Sequence, residues 1–352
     1  MAADSPASPT FLVYGAGAVG SLLGARLTLS GQKVTLLGRP ATRRMIAEHG
    51  LRIEQPDGPT VVRPPVITRL AELPTPPDIV LLAIKAYSLA ESIPDIEQLA
   101  AGGATIVALQ NGVGTEERLI ETRVIKRLIA ASLTISVGSS GEGTVRQETS
   151  HGGLALASVN DSGSAITALQ QACEASGIRV ALLPDYRQMK WSKLLLNILA
   201  NATSAILATE PGAIFADRSL FRLEQRAFIE ALVVMAAQGM SPVGLPGFNV
   251  PMLVHAMRLP AWASQRLIAP RIAGGRGDKR PSLWIDIDSQ RGQTEIDWLN
   301  GAVAAAARRL SIPTPINAAL TRLLNEIATN PTRRAELASH PRLLLDEVYQ
   351  SV

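Results

Sequence analysis

Cysteine is nearly absent from the sequence, and its scarcity removes two classes of protein. The 352 residues include one cysteine, Cys173, so neither an internal disulfide framework nor a thiolate metal cluster can form. Alanines surround Cys173, which predicts a buried helical position and an inert thiol. The sequence shows no other cluster of metal-ligating residues, and we expect no metal site.

Concentrated charge and aromatic residues are also scarce. Lysine and arginine number 34 against 30 aspartate and glutamate, a formal net charge of +4, and aromatic residues make up only 4%. A nucleic-acid-binding protein gathers basic charge and aromatic side chains on one surface. Here the basic excess is scattered in short groups such as Arg43-Arg44. We therefore exclude nucleic acid as a partner.

Uninterrupted hydrophobic runs are missing as well. The most apolar stretch, residues 11–29, is broken by glycines and by Arg26, and the residues before it carry Asp4 and no positive charge. Neither a secretory signal nor a membrane span has this composition. We expect a cytoplasmic protein without a membrane partner, in which residues 1–9 form a disordered leader.

A glycine-rich stretch directly after an apolar strand is the strongest feature that is present. Residues 11–14 suit a buried parallel strand, and the glycines that follow lead into a run with helical periodicity. This is the dinucleotide-binding fingerprint in its structural context. The first glycine permits a tight turn, the second lets the backbone approach a pyrophosphate, and the third lets the helix pack on the strand. We expect the loop to bind the cofactor through Gly15, Ala16, Gly17, Ala18, Val19 and Gly20; a glycine turn without a ligand is the alternative.

The end of the second predicted strand, residues 33–37, indicates which dinucleotide binds. An NAD-binding chain places an acidic residue here for the ribose 2′-hydroxyl. This chain continues with Gly38-Arg39-Pro40 and has no carboxylate before Glu48. Arginine suits a 2′-phosphate through charge-assisted bidentate hydrogen bonds. We therefore predict NADPH/NADP as the cofactor, bound by Arg39, with a solvated basic turn as the alternative.

Two further apolar runs, residues 78–84 and 105–109, predict buried parallel strands. They deliver Lys85 and Asn111 to the carboxyl ends of the strands, where ligands bind in an open parallel sheet. We expect both side chains to contact the cofactor or the substrate, and ordinary strand-end turns are the alternative. Other segments predict a hairpin around Asp57-Gly58, strands at 130–137, 154–158 and 180–183, and a helix at 166–174.

The pattern changes at Pro184-Asp185. Beyond it strand patterns nearly vanish and helical periodicity takes over, apart from a long loop expected near residues 260–281. A chain of this length suggests about two domains. We predict an α/β fold with a Rossmann-type dinucleotide-binding domain over residues 1–184. An all-α substrate and catalytic domain would follow over residues 185–352.

Lys193, Asn197 and Asn201 recur every four residues in one predicted helix, residues 189–204, so they would share a face. Asparagine is a poor helix former, and solvent-exposed faces favour Glu, Lys or Gln. A stripe one residue wide is also too narrow for a solvated surface. A bound polar substrate could supply the partners that buried polar groups need; an amphipathic helix facing water is the alternative.

A third polar group comprises Ser282 and the segment Thr294-Glu295-Ile-Asp297. Thr294 could cap a helix with Glu295 in its first turn. The helix dipole would stabilise that carboxylate, so a structural role is the alternative to substrate binding.

In their order along the chain, these motifs resemble the ketopantoate reductase family over residues 11–328. The matching segments are the glycine loop, Ile84-Lys85-Ala86, Gln110-Asn111-Gly112, Lys193-x-x-x-Asn197-x-x-x-Asn201, Pro281-Ser282-Leu283 and Thr294-Glu295-Ile-Asp297. Many dehydrogenases share the first motif, whereas the ordered set is specific to this family. The resemblance implies a Rossmann domain and a helical domain with an active-site cleft between them. It also implies NADPH-dependent reduction of a 2-oxo acid, with ketopantoate, an intermediate of pantothenate biosynthesis, as the leading substrate.

The resemblance also implies roles for individual residues. The expected catalytic pair is Lys193, as general acid, and Glu295; the expected substrate contacts are Asn111, Asn197, Asn201 and Ser282, and Lys85 and Asn111 would also contact the cofactor. Residues 286–295 are one residue longer than the family pattern, and Trp284-Ile285 stands where Met-Gln is typical, which would reshape the pocket. A paralogous reductase of another 2-oxo acid and a non-catalytic NADPH-binding protein are the alternatives. The choice between a monomer and a homodimer stays open.

Overall fold

The structure, a computed structural model, describes residues 8–55, 58–141, 143–275 and 280–350. Most of the expected leader, residues 1–7, lies outside the described residues. The chain divides into two compact units. The first ends at Gln110, resumes at Thr115 and ends at Tyr186; the second comprises Asn111–Gly114 and the chain from Arg187 onward. The segment Asn111–Gly114 belongs to the second unit, although the residues on both sides of it belong to the first. The two units therefore do not correspond to two continuous stretches of the chain.

Strands make up the centre of the first unit. They are β1 Thr10–Tyr14, β2 Lys33–Leu37, β3 Leu51–Gln55, β4 Gly58–Val62, β5 Val66–Ile67, β6 Ile79–Leu82, β7 Thr105–Ala108, β8 Leu128–Leu133, β9 Val137–Gly141, β10 Thr144–Gln147, β11 Leu154–Ser158 and β12 Val180–Leu182. Eight of them form one sheet in the order β12-β11-β8-β7-β6-β1-β2-β5, in which only the β8–β11 pair is antiparallel. The other four form a second sheet, β4-β3-β10-β9.

Helices cover both faces of the main sheet. The first unit has α1 Ala18–Leu29, α2 Pro40–His49, α3 Leu89–Ala101, α4 Thr115–Glu121 and α5 Ala165–Ala175, with 3-10 turns at Leu70–Glu72 and Ala86–Ser88. Alternate residues of β1 enter separate cores, Phe11 and Val13 on one face and Leu12 and Tyr14 on the other. Parallel strands that are buried on both faces have continuous apolar sequences. The strands predicted from the apolar runs at residues 11–14, 78–84 and 105–109 are therefore confirmed.

The smaller sheet confirms one prediction and corrects another. Strands β3 and β4 are antiparallel, so the hairpin is confirmed, although Pro56 and Asp57 at its tip lie outside the described residues. The predicted strand 130–137 is wrong as a single element, because β8 ends at Leu133 and β9 starts at Val137 in the other sheet. Hydrogen bonds between Thr134 and Gly153 turn the chain there: the Thr134 amide donates to the Gly153 carbonyl at 2.9 Å, and the Gly153 amide donates to Thr134 Oγ1 at 2.9 Å.

The second unit is helical, as predicted. Its helices are α6 Tyr186–Ile198, α7 Asn201–Leu207, α8 Pro211–Ala216, α9 Arg218–Ala237, α10 Val250–Met257, α11 Ala261–Gly275, α12 Ser282–Asp288, α13 Asn300–Arg309, α14 Pro315–Thr329, α15 Pro331–Leu337 and α16 Pro341–Tyr349, with a 3-10 turn at Ile296–Trp298. Among its described residues the only β pairing is an isolated bridge between Leu245 and Phe248. No helix in the described part of the chain is long and apolar enough to cross a membrane.

Two expectations for this unit are wrong. Residues 261–275 form α11 instead of a loop: the helix packs on α8, α9 and α10, and Gln265 donates to the Phe215 carbonyl at 2.9 Å. These contacts outweigh the backbone hydrogen bond that Pro270 removes. The single helix 189–204 is in fact two, because Ala200 has a left-handed conformation (φ 53°). Lys193 and Asn197 therefore lie on α6, and Asn201 begins α7.

Candidate active site

Two glycines of the nucleotide loop are required by the packing of the first unit. Gly15 has φ 108°, and a Cβ there would lie 2.8 Å from Ile84 Cγ2. A Cβ on Gly20 would lie 2.0 Å from the Gly15 carbonyl oxygen. The tight turn after β1 and the close approach of α1 therefore both exclude a side chain.

Gly17 is different, because no described residue requires it to be glycine. Its φ of −81° suits any residue, and a Cβ there would meet no atom of the described residues within 4 Å. The absent side chain leaves room for an external group at the N-terminus of α1, whose first turn holds no acidic residue. A helix N-terminus offers backbone N–H groups and positive dipole to an anion. The loop therefore fits the pyrophosphate of a dinucleotide.

The end of β2 lies beside this loop and carries no carboxylate. A Cβ on Gly38 would lie 3.2 Å from the Cβ of Ala16. The next residue, Arg39, is exposed and precedes α2, and its side chain makes no hydrogen bond or ion pair with any described residue. Arg43 is instead held by Glu72 through an N–O contact of 2.7 Å. Arg39 is therefore available for a 2′-phosphate.

The end of β6 is fastened by a residue that the sequence analysis did not select. Gln110 is buried, and its Nε2 donates to the carbonyls of Leu82 at 2.9 Å and Ile84 at 3.3 Å. These bonds hold the backbone that leads into Lys85, which is half-buried and precedes the 3-10 turn Ala86–Ser88. Two sequence signals were available at Gln110: its position after a buried strand, and its place in the family-like segment Gln110-Asn111-Gly112.

Asn111 is held within the second unit. The Val113 amide donates to the Trp298 carbonyl at 3.1 Å, and a Cβ on Gly112 would lie only 2.1 Å from the same oxygen. Asn197 Nδ2 on α6 donates to Asn111 Oδ1 at 3.3 Å. The structure thus brings Asn111 and Asn197 together, beside the turn that follows Glu295.

Asn201 and Ser282 form a second polar pair. Asn201 is buried, its Nδ2 donates to Ser282 Oγ at 3.1 Å, and its Oδ1 accepts from the Leu283 amide at 3.0 Å. Both hydrogen bonds are made to residues in the first turn of α12, so the side chain of Asn201, which belongs to α7, caps the N-terminus of α12. Ser282 as a residue is half-buried.

The proposed catalytic pair also belongs to this unit. Lys193 is half-buried and lies one helical turn before Asn197 on the same face of α6. Glu295 is 3% exposed. It precedes the 3-10 turn instead of lying within its first turn as expected, and the acidic residue of that turn is Asp297. Thr294 does act as a local cap, since its Oγ1 accepts from the Ile296 amide at 3.3 Å.

Comparison with known proteins identifies the family of the chain. Residues 11–161 match the family described as Ketopantoate reductase PanE/ApbA, and residues 185–328 match its C-terminal domain. The chain belongs to the ketopantoate reductase family. It is accordingly an oxidoreductase that depends on a pyridine nucleotide and acts on a CH–OH group.

Individual relatives agree over nearly their full length. The 2-dehydropantoate 2-reductase of Mycobacterium tuberculosis is 28% identical over 91% of this chain and 98% of its own, and that of Halobacterium salinarum is 27% identical over 87% and 94%. Among solved structures, a ketopantoate reductase family member from Ralstonia eutropha has a TM-score of 0.75 at 24% identity, covering 97% of this chain and 100% of that one. D-mandelate dehydrogenase, in a ternary complex with NADH and anilino(oxo)acetate, has a TM-score of 0.76 at 23% identity, covering 93% and 99%.

Proposed function

We propose that the protein reduces 2-dehydropantoate to pantoate with NADPH, in pantothenate biosynthesis. The observation that carries the proposal is the polar cluster of the second unit, in which the Asn111–Asn197 amide pair lies one helical turn from Lys193. Amide groups can hydrogen-bond the carbonyl and carboxylate of a small 2-oxo acid, and an ammonium group can also pair with its negative charge. The 2-dehydropantoate 2-reductases similar to this chain support the choice of acid.

Arg39 and the open space at Gly17 support NADPH as the cofactor. Residues of the first unit would hold it: the loop from Gly15 to Gly20 at the pyrophosphate, Arg39 at the 2′-phosphate, and Lys85 nearer the nicotinamide. When bound, NADPH supplies the hydride that reduces C2 of the 2-oxo acid.

The second unit would supply the substrate and proton contacts: Asn111 comes from its short segment Asn111–Gly114, and the other contacts come from residues 185–352, the substrate and catalytic domain of our proposal. Lys193 donates a proton from Nζ to the carbonyl oxygen, so an O–H bond forms as an N–H bond breaks, and solvent returns the proton to the amine. Asn111 and Asn197 orient the carbonyl and carboxylate by hydrogen bonds. Ser282 and Glu295 bind the hydroxyl of the substrate.

One observation favours a second candidate, a reductase of a bulkier 2-oxo acid. D-mandelate dehydrogenase shares this fold, and its ternary complex holds NADH and anilino(oxo)acetate. Trp284, where the family pattern has methionine, would reshape a pocket built around α12.

The deciding experiment is oxidation of NADPH by the purified protein against a panel of 2-oxo acids. We expect the highest kcat/KM for 2-dehydropantoate. A higher value for an aromatic 2-oxo acid would select the second candidate. NADPH binding without turnover of any 2-oxo acid would refute both and leave a binding protein.

A further inference from the structure

The junction between α6 and α7 is an unusual piece of backbone. Ala200 has φ 53° and ψ 10°, a left-handed conformation that alanine rarely adopts. Neither glycine nor proline occurs at this junction, so local sequence does not account for the break between Ile198 and Asn201. Contacts from elsewhere in the unit must stabilise it.

Glu224 supplies these contacts. It lies on α9 and is 2% exposed. Its Oε2 accepts from the Ala200 amide at 2.6 Å, and its Oε1 accepts from the hydroxyl of Thr203 in the first turn of α7. Both carboxylate oxygens therefore bind the junction, one at the left-handed residue and one just after it.

This junction determines where the polar side chains of the site point. In an unbroken helix Asn201 would continue the face that carries Lys193 and Asn197. The break directs its amide to α12 instead, where it binds Ser282 Oγ at 3.1 Å and the Leu283 amide at 3.0 Å. The geometry of the junction thus relates the Lys193–Asn197 face of α6 to the Asn201–Ser282 pair.

We infer that Glu224 is a positioning residue for the reduction of the 2-oxo acid. Its buried carboxylate holds Ala200 in the left-handed conformation and thereby aligns the proton donor Lys193 with the substrate contacts at Asn201 and Ser282. This inference rests on the proposed function. The sequence analysis did not single out Glu224, which lies in the part of the chain where it predicted only helical periodicity.

Two substitutions at this position separate its contacts from its charge. In Glu224→Leu neither junction group has a partner, so the Ala200 amide is left buried and unpaired. In Glu224→Gln the amide oxygen can still accept from Ala200, and the amide nitrogen can donate to the rotated Thr203 hydroxyl. Thr203→Val removes one contact only. Val234→Ala, a buried change ten residues along α9, is the control for loss of stability alone.

The experiment measures steady-state kinetics per NADPH-binding site and hydrogen exchange of amides 200–204. For Glu224→Leu we expect faster exchange at the junction, a kcat at least tenfold lower, a raised KM for the 2-oxo acid and an unchanged KM for NADPH. Glu224→Gln should bring the exchange rate, kcat and the KM for the 2-oxo acid back towards the values of the unsubstituted protein. Thr203→Val should give values between those of Glu224→Leu and the unsubstituted protein. Val234→Ala should change none of them.

Several results would overturn the inference. If Glu224→Leu leaves exchange unchanged, Glu224 does not hold the junction. Faster exchange with unchanged kcat and KM shows a structural contact without a positioning role. If Glu224→Leu fails to fold, Thr203→Val decides by the same criteria. Absence of turnover in the unsubstituted protein would instead refute the proposed function, and exchange would still test the contact.

Discussion

Gly17 and Gly20 belong to one motif, yet the structure gives them different reasons for being glycine. In the part of the chain that the structure describes, a Cβ on Gly17 meets no atom within 4 Å, whereas one on Gly20 lies 2.0 Å from a carbonyl oxygen. We predict that Gly17→Ala keeps the free energy of unfolding within about 0.5 kcal/mol but raises the Kd for NADPH at least about tenfold, or ~1.4 kcal/mol. Thermal unfolding and fluorescence titration measure the two effects.

Gly20→Ala is the matched control for that prediction. Overpacking should destabilise it by about 1–3 kcal/mol or more. If Gly17→Ala bound NADPH as tightly as the unsubstituted protein, the space at Gly17 would not be a phosphate site.

Lys193 is the proton donor in our proposed mechanism. Lys193→Ala should lower kcat by roughly 10²–10⁴-fold, the usual contribution of general acid catalysis. The KM for NADPH should stay unchanged, because the nucleotide loop belongs to the other unit. Glu295→Ala should mainly raise the KM for the 2-oxo acid. Steady-state assays of both variants make the comparison, and near-normal turnover by Lys193→Ala would disprove its role.

Arg39 tests the choice between NADPH and NADH. Arg39→Ala should raise the KM for NADPH by about ten- to a hundredfold, the value of a charge-assisted hydrogen bond of ~1.5–3 kcal/mol, and leave that for NADH nearly unchanged. Arg43→Ala is the control, since Glu72 already holds Arg43. Equal use of both dinucleotides by the unsubstituted protein would contradict the prediction.

Among the elements, α7 is the clearest case in which tertiary contacts override helical pattern. Left-handed alanine costs roughly 1–2 kcal/mol, which glycine avoids, although glycine loses about 0.5–1 kcal/mol of conformational entropy. Ala200→Gly should therefore leave the free energy of unfolding unchanged or raise it slightly. Ala205→Gly, within α7 and fully buried, should lower it by about 1 kcal/mol or more. If denaturant titrations showed the same loss in the free energy of unfolding for both variants, the left-handed break in the helix at Ala200 would be contradicted.

For the whole molecule, substrate selectivity should depend on the hydroxyl of 2-dehydropantoate. Its deoxy analogue 3,3-dimethyl-2-oxobutanoate lacks that hydroxyl and loses the hydrogen bonds that Ser282 and Glu295 would make to it, worth about 1–3 kcal/mol or roughly 5–150-fold in kcat/KM. Ser282→Ala should reduce this discrimination. Preference of the unsubstituted protein for the deoxy analogue or for pyruvate would refute 2-dehydropantoate as the substrate.

Local chemistry explains what could be predicted from the sequence. The strands that end at Tyr14, Leu82 and Ala108 could be predicted from apolar runs, because every side chain of a parallel strand that is buried on both faces lies in an apolar core. The turn at Gly15 and the absence of a carboxylate after β2 are likewise properties of a few adjacent residues. These features were enough for the α/β class, and the order of all the motifs along the chain was enough for the resemblance to the family.

The remaining features depend on residues far apart in the chain. Asn111–Gly114 joins the second unit through the Trp298 carbonyl, and α11 replaces an expected loop because neighbouring helices pack on it. The division of the polar stripe at Ala200 depends on Glu224, twenty-four residues further along. The left-handed conformation of Ala200 has no local signature in the sequence, because its amide is bound by a distant buried carboxylate.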